Sequence, residues 1–123
     1  MKSKIDTLFL DIDGCLFEED NTDATHFREL LAGRKAPVVL PRVLDFLEKW
    51  VHEGNKLIFT TGRAEPFRTI TMRQLDALSL PYDQLIMNVG TGVRILVNNN
   101  SKDGSVKAKA VAIETNGDFT KEM

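Results

Sequence analysis

Leu8-Phe9-Leu10-Asp11-Ile12-Asp13-Gly14-Cys15-Leu16 joins a short apolar run to two carboxylates one residue apart, with a glycine directly behind them. An apolar run without polar alternation reads as a central strand of a parallel sheet, here over residues 5–10. Asp11 and Asp13 then fall at or just past the strand's carboxyl end, where open α/β sheets bind their ligands. Two carboxylates held so close repel one another unless a proton or a cation lies between them. A hard divalent ion that takes oxygen ligands suits the pair. The plain alternative is a surface strand end running into an Asp-Gly turn.

A second stretch of the same build lies 50 residues on: Leu57-Ile58-Phe59-Thr60-Thr61-Gly62-Arg63. Gly62 lets backbone approach a ligand, the helix that follows offers N-terminal amides, and Thr61 with Arg63 suits a phosphate oxygen. Read by itself, the same stretch is better taken as a Thr helix cap beside a solvated arginine. A third run, Ile95-Leu96-Val97-Asn98-Asn99-Asn100-Ser101-Lys102-Asp103-Gly104, again ends an apolar segment in polar residues. Its simple reading is a polar turn.

Between these runs the periodicity alternates strand with helix. A short helix is expected within residues 26–31, after a polar segment with Asp20-Asn21 and Gly33 as turn signals. A second helix starts at Pro41 and repeats Val43, Leu44, Leu47, Trp50 and Val51 at helical spacing up to Gly54. A third is expected over residues 66–78. Further strands are expected over residues 56–59, 84–87, 94–97 and 108–113, with a frayed polar tail from Thr115. Strand alternating with helix argues for a parallel sheet with right-handed crossovers.

Composition narrows the class. A chain of 123 residues, 42% hydrophobic, makes one compact domain. No apolar run approaches the ~20 residues that cross a bilayer, and the basic start Met1-Lys2-Ser3-Lys4 leads too soon into the acidic motif for a signal peptide. The single cysteine excludes an internal disulfide and suits a reducing cytoplasm. A net charge of −2 gives no electrostatic grip on nucleic acid. Cys15 and Trp50 read as packing residues, and His26 and His52 match no metal-ligand spacing.

Taken in order, these segments resemble the haloacid dehalogenase (HAD-like) superfamily of phosphohydrolases over about residues 5–113. Asp11, Asp13, Gly14 and Cys15 match its first motif, and Thr61, Gly62 and Arg63 its second. The resemblance implies a three-layer Rossmann-like α/β fold with a mostly parallel five-stranded sheet. It implies a Mg²⁺-dependent phosphatase in which Asp11 is the nucleophile and forms an aspartyl-phosphate. Asp13 would be general acid and base and touch the metal through its carbonyl. Gly14, Thr61, Gly62 and Arg63 would bind the phosphorylated substrate, with a sugar phosphate among the candidates.

Two positions depart from the family pattern. Residues 88–93 hold no lysine for the third motif, so Arg94 is assigned that role, with Arg63 as the alternative cation. The fourth, acidic motif is represented by Asn98 and Asn99, and Asp103 four residues on is assigned as the carboxylate that completes the metal shell with Asn99. An amide oxygen ligates Mg²⁺ without formal charge and so more weakly. Residues 17–40 and 62–97 leave no room for a substantial cap. The whole chain, residues 1–123, therefore reads as one capless domain, its site exposed or covered by a neighbouring subunit of a homo-oligomer. Two rivals remain: a weak or inactive relative that binds a phosphorylated ligand or protein partner, and a phospho-receiver domain. The second expects an aspartate after the third strand, where Met87 is followed by Asn88.

Overall fold

A computed structural model describes residues 4–20 and 22–123. The start at residues 1–3 and Asn21 of the expected turn lie outside the described residues. In chain order the elements are β1 (Thr7–Asp11), α1 (Ala24–Leu31), α2 (Val43–His52), β2 (Lys56–Thr60), α3 (Arg68–Asp76) and β3 (Gln84–Ile86). Single 3-10 turns precede α3 at Glu65–Phe67 and close the chain at Phe119–Glu122. All three strands are parallel, in the order β1-β2-β3, with Leu8 beside Leu57, Leu10 beside Phe59 and Phe59 beside Leu85.

This register puts Leu8, Leu10, Leu57, Phe59 and Leu85 on one sheet face, since side chains alternate along a strand. That face carries the core. Leu10, Leu57 and Phe59 join Val43 and Leu47 of α2, Leu75 of α3, and Ile12, Leu16 and Phe17 of the loop after β1. Trp50 fixes the α2–β2 corner by donating its indole N–H to the Lys56 carbonyl at 2.8 Å. On the opposite face Phe9 is 51% exposed and Ile86 40% exposed.

The helices differ from expectation only at their ends. Asp23 caps α1 by accepting the Thr25 amide at 2.9 Å, which moves its start forward to Ala24. Arg42 takes a left-handed φ of 69°, so α2 begins at Val43 rather than at Pro41. At its far end Gly54, at φ 88°, makes the left-handed turn that side chains disfavour.

The sheet is a larger correction. A five-stranded, three-layer sheet does not form: residues 94–97 and 108–113 make no strand, and among the described residues no layer covers the face bearing Phe9 and Ile86. The cause is connection length. Only residues 88–93 separate Met87 from Arg94, whereas a parallel crossover needs a dozen residues or more. Residues 108–113 likewise pair with no strand of this sheet. Val93, Ile95 and Val97 are instead 89%, 83% and 90% exposed.

The tail is corrected in the other direction. Residues 113–119 are docked, not frayed. The Asn116 amide donates to the Gly14 carbonyl at 2.8 Å, and Phe119 is buried edge-on against Phe46.

Candidate active site

The site is built where β1 and β2 end. After Asp11 the chain turns at once, because the Ile12 carbonyl accepts the Leu16 and Phe17 amides at 2.9 Å each. Gly14 permits that turn at φ 90°, and a Cβ there would meet Glu19 Oε2 at 3.1 Å and Thr115 Cγ2 at 3.2 Å. Asn116 ties the far side of the loop down: it accepts the Glu19 amide and donates to the Glu19 carbonyl, both at 2.8 Å. One cavity of about 720 Å³ opens at this sheet edge, within the ordinary size of a small-molecule site. Its lining includes Asp11, Asp13, Gly14, Thr61, Gly62, Arg63 and Arg94. These are the residues that the first two motifs and the third-motif cation singled out.

Asp11 is the most perturbed acid. Burial first, then the Asp13 charge, pushes its carboxyl up to about 6; Arg94 and the Ile12 amide pull the other way. Glu19 is raised as well, by burial and by Asp13. Cys15 is pushed up to about 11 by burial and by the charges of Asp11, Glu19 and Asp13, so it stays a thiol, as a packing residue would.

Thr61 is held from three sides. Its amide donates to the Ile86 carbonyl at 3.0 Å, its carbonyl accepts the Val89 amide at 2.9 Å, and its hydroxyl oxygen accepts the Arg63 amide at 3.1 Å. The hydroxyl proton is left to donate into the cavity. A Cβ on Gly62 would meet only the Val89 carbonyl oxygen, at 3.6 Å.

Arg63 is placed differently from a free anion binder. Its side chain is fully buried and grips Asp13 with two parallel hydrogen bonds of 2.9 Å, Nε to Oδ2 and Nη2 to Oδ1. Nη1 donates to Thr71 Oγ1 at 3.0 Å and to Gln74 Oε1 at 2.6 Å, and Gln74 Nε2 reaches the Leu30 carbonyl at 2.9 Å. Phe27 lies under the guanidinium, 5.8 Å from ring centroid to Cζ. The arginine thus joins α1, α3 and the β1 loop through Asp13. Of the two candidate cations, Arg94 is the one that faces the cavity from an exposed position.

The expected metal ligands divide. Asp11 and Asp13 line the cavity, while Asn99 and Asp103 do not: both sit on the exposed 93–111 segment, where Asp103 accepts from the Ser105 amide and hydroxyl. Among the described residues no three His, Cys, Asp or Glu side chains are grouped to form a metal cage. A Mg²⁺ ion nevertheless fits, because it keeps several waters and takes one or two carboxylates plus substrate phosphate. Burial does most to raise Asp11, and the repulsion from Asp13 that adds to it is what such a cation relieves.

Sequence reasoning missed Phe27, Glu114, Thr115 and Asn116 here. Treating the tail from Thr115 as frayed hid Thr115 and Asn116, although Asn116-Gly117 is itself a turn signal.

No protein-family model matches the chain, and no curated protein does. Among solved structures it is similar to a chain in the structure of a Pnkp1/Rnl/Hen1 complex: 23% identity, 76% of this chain covered, TM-score 0.54. It spans 32% of that longer chain. It is also similar to a target protein from Vibrio cholerae, with 19% identity, 74% of this chain and 79% of that chain covered, and a TM-score of 0.51. At these identities the likeness extends to the fold alone. No helix among the described residues is long and apolar enough to cross a membrane.

Proposed function

We propose that the chain is a Mg²⁺-dependent phosphomonoesterase of the haloacid dehalogenase type, acting through an aspartyl-phosphate on Asp11. The observation that carries this reading is the meeting of Asp11, Asp13 and Thr61 around one cavity at the carboxyl edge of a parallel sheet. The Asp11 carboxylate attacks phosphorus, forming a P–O bond as the ester oxygen leaves. Asp13 gives that oxygen its proton, then takes one from water as the water attacks phosphorus and frees Asp11 and inorganic phosphate. The Thr61 hydroxyl and Gly62 amide receive phosphoryl oxygens, and Arg94 offsets their charge. Arg63 orients Asp13 and leaves each of its carboxylate oxygens a lone pair toward the cavity. Asp11 and Asp13 would hold Mg²⁺, which lowers the repulsion between the nucleophile and the phosphate. The lone cysteine fits a cytoplasmic enzyme, and a phosphorylated small molecule such as a sugar phosphate fits the cavity volume.

The test is hydrolysis of 4-nitrophenyl phosphate with Mg²⁺ by the native chain and by Asp11→Asn. Turnover that needs Mg²⁺ and disappears in the variant supports the reading; full activity in Asp11→Asn overturns it. One observation favours a second reading, a weak or inactive phosphate-binding domain: Asn99 and Asp103 stand away from the cavity. Phosphate binding by calorimetry without Mg²⁺ uptake or turnover decides for that reading.

A further inference from the structure

We propose that Glu19 selects the leaving group. It accepts a hydrogen bond from a hydroxyl near the ester oxygen and repels a second anion, so the substrates are phosphate monoesters of uncharged polyols. The inference rests on the phosphatase reading above, which seats the phosphoryl group at Thr61 and Gly62 and the leaving oxygen at Asp13. Gly14 follows Asp13 directly, and the Glu19 carboxylate lies where a side chain on residue 14 would stand. A Cβ there would be 3.1 Å from Glu19 Oε2 and 3.2 Å from Thr115 Cγ2. Glu19 thus borders the leaving-group side of the cavity, which it lines together with Asp13 and Thr115.

The backbone of Glu19 is held in place while its carboxylate is left free. The Asn116 side chain accepts the Glu19 amide and donates to the Glu19 carbonyl, and the Asn116 amide donates to the Gly14 carbonyl, all at 2.8 Å. Residue 19 is thereby fixed against residue 14 from both sides. Among the described residues the Glu19 carboxylate itself makes no hydrogen bond or ion pair, unlike Asp13, whose two oxygens are both taken by Arg63. Burial and the Asp13 charge hold its pKa above the ordinary glutamate value. A half-buried acceptor without a partner is costly, and a hydroxyl that donates to it makes a charge-assisted bond.

Charge within the cavity supplies the second half of the selection. Asp11, Asp13, Glu19 and Glu114 line it against Arg63 and Arg94, four acids to two cations. Arg63 is engaged by Asp13, and Arg94 serves the transferred phosphoryl group. Among the described lining residues no cation remains for a phosphate or carboxylate on the leaving group. Such a group would face Glu19 without compensation, in a partly buried place where screening is weak.

Three esters of one length test the proposal beside 4-nitrophenyl phosphate: glycerol 1-phosphate, propyl phosphate and 3-phosphoglycerate. They are compared by kcat/KM with Mg²⁺ and, independently of turnover, by calorimetric Kd in full-length Asp11→Asn chains with and without the Glu19 substitutions. The native chain should favour glycerol 1-phosphate over each of the others by about tenfold or more. Glu19→Ala should remove the preference over propyl phosphate. Glu19→Gln, of the same shape without the charge, should raise 3-phosphoglycerate about tenfold relative to glycerol 1-phosphate. Asn116→Gly, which keeps the left-handed backbone at φ 67°, should raise KM for glycerol 1-phosphate but not for propyl phosphate. Glu18→Gln, exposed and outside the lining, should keep the native order. A native chain that takes propyl phosphate as readily as glycerol 1-phosphate overturns the proposal, as does an unaltered order in Glu19→Ala. Turnover of 4-nitrophenyl phosphate with no order among the three esters overturns the role of Glu19 alone. The expected order in Kd without any turnover overturns the phosphatase reading and supports Glu19 as the selecting group.

Discussion

Leu8-Phe9-Leu10-Asp11 and Ile95-Leu96-Val97-Asn98 share one pattern, three apolar residues and then a polar one, yet β1 lies in the sheet and the other run stands in solvent. The connections account for the difference. From β1 to β2 the chain has residues 12–55, enough for α1 and α2 to return it to the start of the sheet. From Met87, just past β3, to residue 94 it has six residues and no helix. An apolar run specifies a strand only where the preceding segment can deliver it to an edge. The chemistry-bearing residues follow the same division: those after β1 and β2 converge on the cavity, and Asn99 and Asp103 do not.

The largest effect expected from this division is on activity. Asp11→Asn should reduce Mg²⁺-dependent aryl phosphate hydrolysis by at least about 10³-fold, since loss of a nucleophile is rarely compensated. Asp103→Asn, on the exposed arm of residues 93–111, should leave the rate of the native chain unchanged. Steady-state rates of the two variants measured side by side decide whether the cavity or the arm carries the chemistry; equal losses would erase the distinction.

Next in size is packing. Phe59 is 1% exposed and lies between Leu10 and Tyr82, so Phe59→Ala should cost about 3–5 kcal/mol. Val106 is 75% exposed, and Val106→Ala should stay within about 0.5 kcal/mol. Urea midpoints report both. A large loss at Val106 would mean that the arm is packed in solution.

How far the sequence told these regions apart depends on the kind of signal. Asp11, Asp13, Thr61 and Gly62 were legible because each ends, or follows within two residues, a strand whose apolar run is unmistakable. The parallel pairing of β1 with β2 and β2 with β3 followed from the helices between them. Arg63 was legible as a site residue but not in its role: its partners are Asp13 in the loop after β1 and Thr71 and Gln74 on α3, and no local pattern encodes that they meet. The extra strands were misread because residues 94–97 and 108–113 have strand composition, and composition says nothing of whether six residues can span a sheet. Asn116 and Phe119 escaped notice because a polar tail looks the same whether free or pinned by two side-chain bonds and one buried ring.

The Arg63 clamp gives the third prediction. Arg63→Met removes the partner of Asp13 and leaves Thr71 and Gln74 facing an apolar side chain, at a cost of about 3 kcal/mol. Asp13→Asn in the same chain should recover part of that loss, because the unpaired charge is gone. Chemical denaturation of the native chain, both single variants and the double variant measures the coupling. A coupling near zero would mean that the two side chains are independent in solution. Arg63→Lys, which cannot form the two-pronged contact, should retain folding but lower the catalytic rate with little change in KM.

The smallest effect, and the one that speaks most directly to the cavity's electrostatics, is in pH. The Asp11 carboxyl is raised from an ordinary value of 3.8 to about 6, chiefly by burial and then by Asp13. Between those values the folded chain binds the Asp11 proton while the unfolded chain has lost it, so this carboxylate lowers stability as pH rises from about 4 to about 6. Below that window the native carboxyl is neutral and imposes no penalty; above it the full penalty applies. Allowing for the screening of a partly exposed group, the penalty is about 1–2 kcal/mol. Asp11→Asn should therefore be more stable than the native chain at pH 7 and equal to it near pH 4, although it has lost its activity. Mg²⁺ should narrow that gap at pH 7 by stabilising the native chain and not the variant. Thermal unfolding of both chains across this range, with and without Mg²⁺, measures the two differences. An Asp11→Asn chain that is no more stable at pH 7 would place the carboxylate in open solvent and remove the electrostatic case for a cation beside it.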